Sequence, residues 1–336
     1  MSSMTARGQA GSQVIRWGVV GPGAIARGFA EAVAQTAGGT IVAVASRSAE
    51  RASAFGDQFG IPSRYTDYAA LASDPAVDVV YVATPQSRHE PDTLRMLEAG
   101  KHVLCEKPFA LTARQGARMV AEARARGLFL MEAIWSRYLP AYRSLVDVIG
   151  EGRIGDPLLV EADFGFRRPV EPDHRLFDLA LGGGALLDLG IYPIQLCSLL
   201  LGSPEHVVAD GVVGVTGVDE VNAAVLRYAG DRMGVVKSAI RVGMSCTARI
   251  SGTDGWIDLP AFMHCPSSLT VTTGGRSERI EASYEGNGLR FEIEEVHRCL
   301  SEGLLESPIM LLDETLDMAA TLDAIRAQLG VVYPGE

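Results

Sequence analysis

The chain has no cysteine pair in CxxC spacing. Its five cysteines (Cys105, Cys197, Cys246, Cys265 and Cys299) are odd in number and dispersed. That pattern gives no zinc framework and no disulfide scaffold, and it suits a reducing compartment. There is no basic excess either: the formal net charge of −11 argues against nucleic acid or an anionic membrane surface as a main partner. A clean membrane-length apolar run is also missing. The most apolar stretch, 185–201, is interrupted by Asp188, Gly190, Tyr192, Pro193 and Gln195, and reads as a buried helix rather than a span. Residues 1–13 are rich in Ser, Gly and Gln and lack the apolar core of a signal peptide. A disordered leader and a cytoplasmic protein are therefore expected. No internal repeat or low-complexity segment is visible.

What remains is an ordinary globular composition, 47% apolar over 336 residues, enough for a large core and for two domains. The most informative stretch is RWGVVGPGAIARGFA at 16–30. A short apolar run enters Gly21-Pro22-Gly23-Ala24-Ile25-Ala26, and a helix-forming segment follows. This is the strand, glycine turn and helix of a dinucleotide-binding unit. Gly21 permits the tight turn, Gly23 lets a pyrophosphate approach the backbone, and Ala26 stands where helix and strand pack closely. The free N–H groups of the helix start, with Ala24 and Ile25 beside them, would face the phosphates. A plain structural turn is the alternative.

A further absence bears on the choice of nucleotide. After the β-branched run 40–46, NAD enzymes usually place an Asp or Glu that accepts a bond from the ribose 2′-OH. This chain has Ser46-Arg47-Ser48. Arg47 can pair with a 2′-phosphate and stack on adenine, with the serines donating. A solvated arginine at a helix start is the other reading; NADP(H) is the cofactor expected here.

Strands at 77–83, 101–105 and 128–132 alternate with helices at 88–99 and 112–126, the signature of a doubly wound parallel sheet. The loop after the first of these strands carries Thr84, Pro85, Ser87 and His89. It lies at a strand carboxyl end, where ligands of such sheets bind. His89 is expected either to order this loop or, less simply, to donate a proton. The next strand ends in Glu106-Lys107-Pro108.

Beyond a turn-rich boundary near 150–155, the strand 158–167 leads into a polar loop holding His174 and Arg175. Phe164, His174 and Arg175, with Trp135 and Arg137 upstream, are candidate substrate contacts; solvated loop arginines are the plainer alternative. The loop runs into Gly182-Gly183-Gly184, which allows a close backbone approach before the helix from 185. Asp188 and Tyr192 stand at i and i+4 on that helix among apolar neighbours, so both should point one way. They form either a private hydrogen-bonded pair or a catalytic one. From 206 onward short strands predominate, giving an α+β second domain with an open, mainly antiparallel sheet. Val221, Ala223 and Val225 on one face and Ala224, Leu226 and Tyr228 on the other predict that a homodimer covers the open face, with a dimer of dimers as a further possibility. Glu292, Glu294, Glu295 and His297 read as a solvated helix face rather than a metal cluster, and no metal is expected.

The glycine turn, the Glu106-Lys107-Pro108 strand end and GGGALLDLGIY at 182–192 together resemble the glucose-fructose oxidoreductase, inositol dehydrogenase and rhizopine-catabolism (Gfo/Idh/MocA) superfamily. The segments 131–137 (MEAIWSR), 188–192, 251–255 (SGTDG) and 306–308 (ESP) are similar to its branch of dimeric dihydrodiol dehydrogenases and NADP-dependent D-xylose dehydrogenases. The resemblance implies a Rossmann domain at 14–136, a substrate-binding and dimerisation domain at 137–336, and a terminal helix 313–330 packing back on the first. It places Lys107 at substrate and nicotinamide with Glu106 beside it, gives Pro108 a structural, often cis, role, and agrees with tyrosine at position 192. A free phenol is too weak a base at neutral pH, and Lys107 is the cation expected to lower its pKa. Asp188 would accept a hydrogen bond from a neighbouring substrate hydroxyl. The activity implied is hydride transfer between nicotinamide C4 and a carbinol or carbonyl carbon of a sugar or vicinal diol. A trans-dihydrodiol dehydrogenase is the nearest alternative. An NADP-sensing regulator without catalysis is the alternative from another class.

Overall fold

A computed structural model describes residues 14–336. The expected leader at 1–13 lies outside the described residues. The first sheet has six parallel strands: β1 (Ile15–Val20), β2 (Gly39–Ala45), β3 (Ser63–Tyr65), β4 (Val79–Val82), β5 (His102–Glu106) and β6 (Leu130–Ala133). Their order is β3-β2-β1-β4-β5-β6. Apolar runs such as Val79–Val82 are buried at every residue, as strands covered on both faces must be. Helices α1 (Ala24–Gln35), α2 (Ala49–Phe59), α3 (Tyr68–Ala72), α4 (His89–Glu98) and α5 (Ala113–Arg126) supply that cover. The order reverses direction between β1 and β4, so the crevice of this sheet opens at their carboxyl ends. Gly21 sits at that crevice with φ +86°, and a Cβ there would lie 2.8 Å from the Ala83 carbonyl oxygen. Only glycine lets the turn come this close to the end of β4.

After α6 (Pro140–Gly150), the chain builds an eight-stranded sheet from β7 (Pro157–Gly165), β8 (His206–Val213), β9 (Asp219–Tyr228), β10 (Arg232–Ala239), β11 (Ala248–Gly252), β12 (Gly255–Leu259), β13 (Ser268–Thr273) and β14 (Arg276–Glu281). The order is β14-β13-β12-β11-β7-β10-β9-β8, antiparallel except where β7 runs parallel to β10. The fold class is thus a parallel Rossmann sheet joined to a mixed, mostly antiparallel one. The polar strand β14 (RSERIE) carries little apolar alternation and left no pattern to read.

One face of this sheet is covered by α7 (Ile191–Leu201) and by α9 (Leu312–Leu329), which also rests on α5. The stretch Leu179–Leu201 is long and apolar enough to cross a membrane by composition, but most of it is buried inside the protein. Helix α8 (Arg290–Ser301) returns to the first sheet, where Ile293 and Val296 share a core with Trp17 and Phe29. On the opposite, open sheet face, one row of cross-strand neighbours runs Val208, Val225, Val235, Glu161, Arg249 and Asp258. Val208 and Val225 are exposed there, at 54% and 41%.

Candidate active site

The nucleotide side is formed by the first sheet's carboxyl edge. Helix α1 begins at Gly23, where no side chain caps the main chain. A Cβ at Gly23 would touch only the Gly21 carbonyl oxygen, at 4.0 Å, and Gly23, Ala24 and Ile25 are all exposed. The first N–H groups of a twelve-residue helix therefore face an accessible crevice, the arrangement that receives a phosphate. At the end of β2, Ser46 is buried and its Oγ accepts from Ser48 N at 3.2 Å, while Ser48 Oγ caps α2 by accepting from Arg51 N. Arg47 between them is exposed and forms no ion pair among the described residues. It lies beside the Tyr68 phenol, whose pKa burial raises and Arg47 pulls down. Thr84 Oγ1 is buried on the neighbouring loop with no partner among the described residues, while Pro85 is exposed and Ser87 half-buried. An open glycine cradle, an exposed cation and an orphaned hydroxyl fit a dinucleotide along this edge.

Of the two roles expected of His89, the structure agrees with the ordering of its loop. Its ring is buried, with Nδ1 2.8 Å from the Pro108 carbonyl oxygen and Nε2 2.9 Å from that of Thr84. Burial holds its pKa below the usual imidazole value. Whichever nitrogen carries the proton donates it to one of these two carbonyls, so the buried His89 orders the loop and has no proton free for a ligand.

Lys107 follows β5, and the peptide bond between Lys107 and Pro108 is cis. Glu106 beside it is buried; one carboxylate oxygen accepts from the Tyr81 hydroxyl and the other from Lys107 N at 3.1 Å. The Lys107 ammonium donates to the Asp188 carbonyl oxygen at 2.7 Å, lies 3.5 Å from Asp188 Oδ1, and sits 5.0 Å above the centre of the Tyr192 ring. Burial works against that charge, yet Asp188, Tyr192 and Glu106 outweigh it, so the Lys107 pKa is raised and the group stays cationic.

Asp188 and Tyr192 reach this cluster by a route the i, i+4 argument missed. Residues Leu186–Gly190 form a π-helical turn ahead of α7, so the two side chains are not stacked as on a regular helix. Asp188 is buried and accepts from Arg175 at both oxygens, at 2.9 and 3.3 Å, with Gln86 Nε2 3.5 Å from Oδ1. Burial alone would raise its pKa; Lys107 and Arg175 reverse this and hold it below the ordinary value. Its carboxylate is thus engaged by protein cations instead of standing free for a substrate hydroxyl. Gly184, at φ +124°, precedes the turn, and a Cβ there would collide with the Asp219 carboxylate. That carboxylate accepts from Leu186 N at 2.8 Å and so anchors the turn.

The expected lowering of the Tyr192 pKa is also corrected. Burial raises it, Glu106 and Asp188 add to the rise, and the opposing pull of Lys107 is smaller than their sum. The phenol is therefore neutral near pH 7. Its oxygen accepts from Trp135 Nε1 at 3.2 Å, which leaves its own proton free to be donated elsewhere.

Around the phenol stand three aromatic rings. Phe164 meets Tyr192 edge-on with centres 5.5 Å apart. His264, from the loop between β12 and β13, stacks on Phe164 at 4.4 Å and lies 4.9 Å from Tyr192. Trp135 closes the cage, its ring centre 5.8 Å from His264. Neither His264 nor Gln86 stands out in the sequence; a loop position far along the chain carries no local signal.

Two expected substrate contacts are used otherwise. Arg137 is buried, ion-paired with Glu314 at 2.5 Å and donating to the Gln195 side chain and carbonyl at 2.7 and 2.9 Å. It bolts α9 and α7 to the segment below the cage. His174 lies in its loop with Nδ1 accepting from Leu176 N at 3.2 Å, a turn-forming contact outside the cluster. The acidic face of α8 is corrected as well. Glu292 and Glu295 are buried, and only Glu294 is exposed. Glu292 has no partner at either oxygen among the described residues, and burial pushes its pKa well up. Glu295 is held by Arg298 and by Ser307, and His297 accepts from Trp17 Nε1 at 3.0 Å.

The geometry agrees with what known proteins resemble this chain. Residues 15–134 match the family model described as an oxidoreductase family with an NAD-binding Rossmann fold. Residues 142–258 match the GFO/IDH/MocA C-terminal domain. A human trans-1,2-dihydrobenzene-1,2-diol dehydrogenase is 39% identical, covering 95% of this chain and 98% of its own. The Xenopus laevis enzyme of that name is 37% identical over 95% and 99%. Among solved structures, an aldose-aldose oxidoreductase from Caulobacter crescentus superposes with a TM-score of 0.86 at 26% identity, covering 94% and 97% of the two chains. A 3-ketoreductase from Actinomadura kijaniata, in complex with NADP and TDP-benzene, gives 0.83 at 28%, over 94% and 98%. With both halves of the chain matched and relatives of this identity over its length, this chain belongs to the Gfo/Idh/MocA oxidoreductase family and is an NAD(P)-binding oxidoreductase.

Proposed function

We propose that the chain is an NADP(H)-dependent oxidoreductase acting on a carbinol or carbonyl carbon of a sugar or related vicinal diol, with Tyr192 and Lys107 as its proton-transfer pair. The observation that carries this reading is the Lys107 ammonium held over the Tyr192 ring while the phenol's proton is left free. When bound, the nicotinamide supplies or accepts the hydride. Tyr192 Oη holds the proton that a substrate oxygen gains in reduction or gives up in oxidation. Lys107 stabilises the phenolate that remains after donation, and Asp188 keeps that ammonium charged and in place against the opposing charge of Arg175. Trp135 and Phe164 exclude water and offer flat surfaces to a ring. Arg47, exposed where NAD enzymes carry a carboxylate, supports the choice of NADP. A second reading, trans-dihydrodiol dehydrogenase, is favoured by the identity to relatives of that name.

A panel of aldoses, keto-sugars and trans-dihydrodiols assayed with NADP and NAD by nicotinamide absorbance tests the reading. Turnover of a sugar or diol with NADP preferred is expected; turnover of none of them would end it. We also propose a homodimer through the open sheet face, supported by exposed Val208 and Val225 beside the charged Glu161, Arg249 and Asp258. Light scattering at micromolar concentration should return twice the chain mass, and a monomer mass would contradict it.

A further inference from the structure

The segment after α9 reaches back to the turn that carries the site. Gly330, at φ +72°, closes α9 with a left-handed cap, and residues 331–336 fold over the buried Arg326. Arg326 Nη1 donates to the Val331 carbonyl at 3.0 Å and to the Glu336 carboxylate, and its guanidinium lies 5.4 Å from the centre of the Tyr333 ring. Tyr333 N donates to the same Glu336 carboxylate at 2.5 Å. Held in this way, Tyr333 is only 2% exposed, and its Oη donates to the Gly183 carbonyl at 2.7 Å.

Three consecutive glycines offer no side chain to pack, so the place of this turn is set by what its main chain meets. Gly183 N and Gly184 N donate to the Asp178 and Leu176 carbonyls, both at 2.9 Å, Leu186 N donates to Asp219, and Tyr333 supplies the donor to Gly183. A Cβ on Gly184 would strike the Asp219 carboxylate and lie 3.3 Å from Tyr333 Oη, so both groups press on the same point of the turn. Five residues beyond Gly183 comes the Asp188 carbonyl, which accepts from the Lys107 ammonium. The loop that Lys107 opens is tied to α9 at its other end. Asp323 accepts from Ala113 N at 2.8 Å with one oxygen and from Arg326 at 3.0 Å with the other. The lysine's loop and the lysine's carbonyl partner are thus both referred to Arg326, one through Asp323 and the other through Tyr333.

We infer that Tyr333 is a positioning residue for the proton-transfer pair: its bond to the Gly183 carbonyl fixes the turn from which the Asp188 carbonyl holds Lys107 over Tyr192. This rests on the reading of Lys107 and Tyr192 given above and extends it to the segment after α9. Without the bond the turn shifts and the ammonium moves off the ring. Its attraction for the phenolate then weakens with distance, and the proton donor loses its alignment.

The test compares Tyr333→Phe, which keeps the ring and deletes the hydroxyl, with Ile257→Val, a trim in the buried core of the second domain that costs comparable stability. On the best substrate of the panel, Tyr333→Phe should lower kcat about 10-fold with KM and the NADP dissociation constant nearly unchanged. Ile257→Val should keep the wild-type kcat. In a Lys107→Met background, Tyr333→Phe should cost almost nothing more, because both changes act on one contact. A readout free of turnover is the ¹³Cζ tyrosine NMR signal that Tyr192→Phe abolishes. Its titration midpoint should move to higher pH in Tyr333→Phe, further in Lys107→Met, and not at all in Ile257→Val. A midpoint that Tyr333→Phe leaves in place, or a rate loss that multiplies with that of Lys107→Met, would make Tyr333 a packing residue and overturn the assignment. Displaced midpoints without turnover of any panel member, or with full turnover by Tyr192→Phe, would remove the proton-transfer reading and leave the positioning of Lys107 by Tyr333 standing.

Discussion

At the turn from β1 into α1 the main chain faces outward at Gly23 and Ala24, with no side chain capping it. At the turn from Gly182 into the π-helical segment the main chain is matched group by group. Leu186 N donates to Asp219, the Gly183 carbonyl accepts from Tyr333 Oη at 2.7 Å, and the Asp188 carbonyl accepts from Lys107. Both turns need glycine, but for opposite reasons. The first leaves donors free so that an anion can complete them; the second packs polar groups together so that charges stay where they are placed. The two turns are thus of unlike construction: one leaves main-chain donors accessible, the other has its polar groups paired within the protein.

Breaking the chemical side should have the larger effect. Tyr192→Phe keeps the cage packed but removes the transferable proton. kcat should fall by about 10²–10⁴-fold, with the NADP dissociation constant nearly unchanged in a fluorescence titration. Near-normal turnover would reduce Tyr192 to a packed residue.

The nucleotide side should answer in affinity instead of rate. Arg47→Ala removes the exposed cation at the end of β2, and an Arg–phosphate contact contributes about 1.5–3 kcal/mol. NADP should bind about tenfold or more weakly, while NAD affinity hardly moves. Equal wild-type affinity for the two nucleotides would contradict the role given to Arg47.

The two glycines of the first turn separate fold from binding. Gly21→Ala forces a side chain into positive φ and against the Ala83 carbonyl. A loss of about 1–3 kcal/mol is expected, read as a melting temperature several degrees lower. Gly23→Ala makes only an ordinary contact with the Gly21 carbonyl oxygen at 4.0 Å and should leave melting unchanged while weakening cofactor binding. If both variants melt alike, the distinction between turn geometry and phosphate access is wrong.

The same contrast explains what could be read from the chain. The first turn is local: a strand, two glycines and a helix start fall within residues 15–35, and Arg47 marks the end of the next strand. Lys107 and Tyr192 were legible through the strand end and the resembling segments. What escaped depends on contacts far apart in sequence. Arg137 is claimed by Glu314 and Gln195, and Asp188 by Arg175. Glu292 and Glu295 looked solvated because charge suggested a surface, whereas α8 turns both inward against the first domain. The π-turn at Leu186–Gly190 has no sequence period of its own. The phenol's raised pKa came from burial that a pairwise argument between Lys107 and Tyr192 does not contain.

The central claim is that Lys107 acts on the substrate proton through Tyr192. As a base in alcohol oxidation the phenol must ionise, and because its pKa is raised the oxidation rate should climb with pH above neutrality. Reduction, which uses the protonated phenol, should instead hold at neutral pH and fall on the alkaline side. Lys107 pulls the phenol's pKa down, so its removal should move both limbs to higher pH. The decisive measurement is the pH–rate profile of wild type and Lys107→Met, taken where hydride transfer limits turnover and shown to do so by a deuterium isotope effect. A lower rate with the alkaline limb displaced upward is the predicted result. A lower rate with the limb unmoved would show that Lys107 does not tune Tyr192 and would contradict the proton-transfer pair.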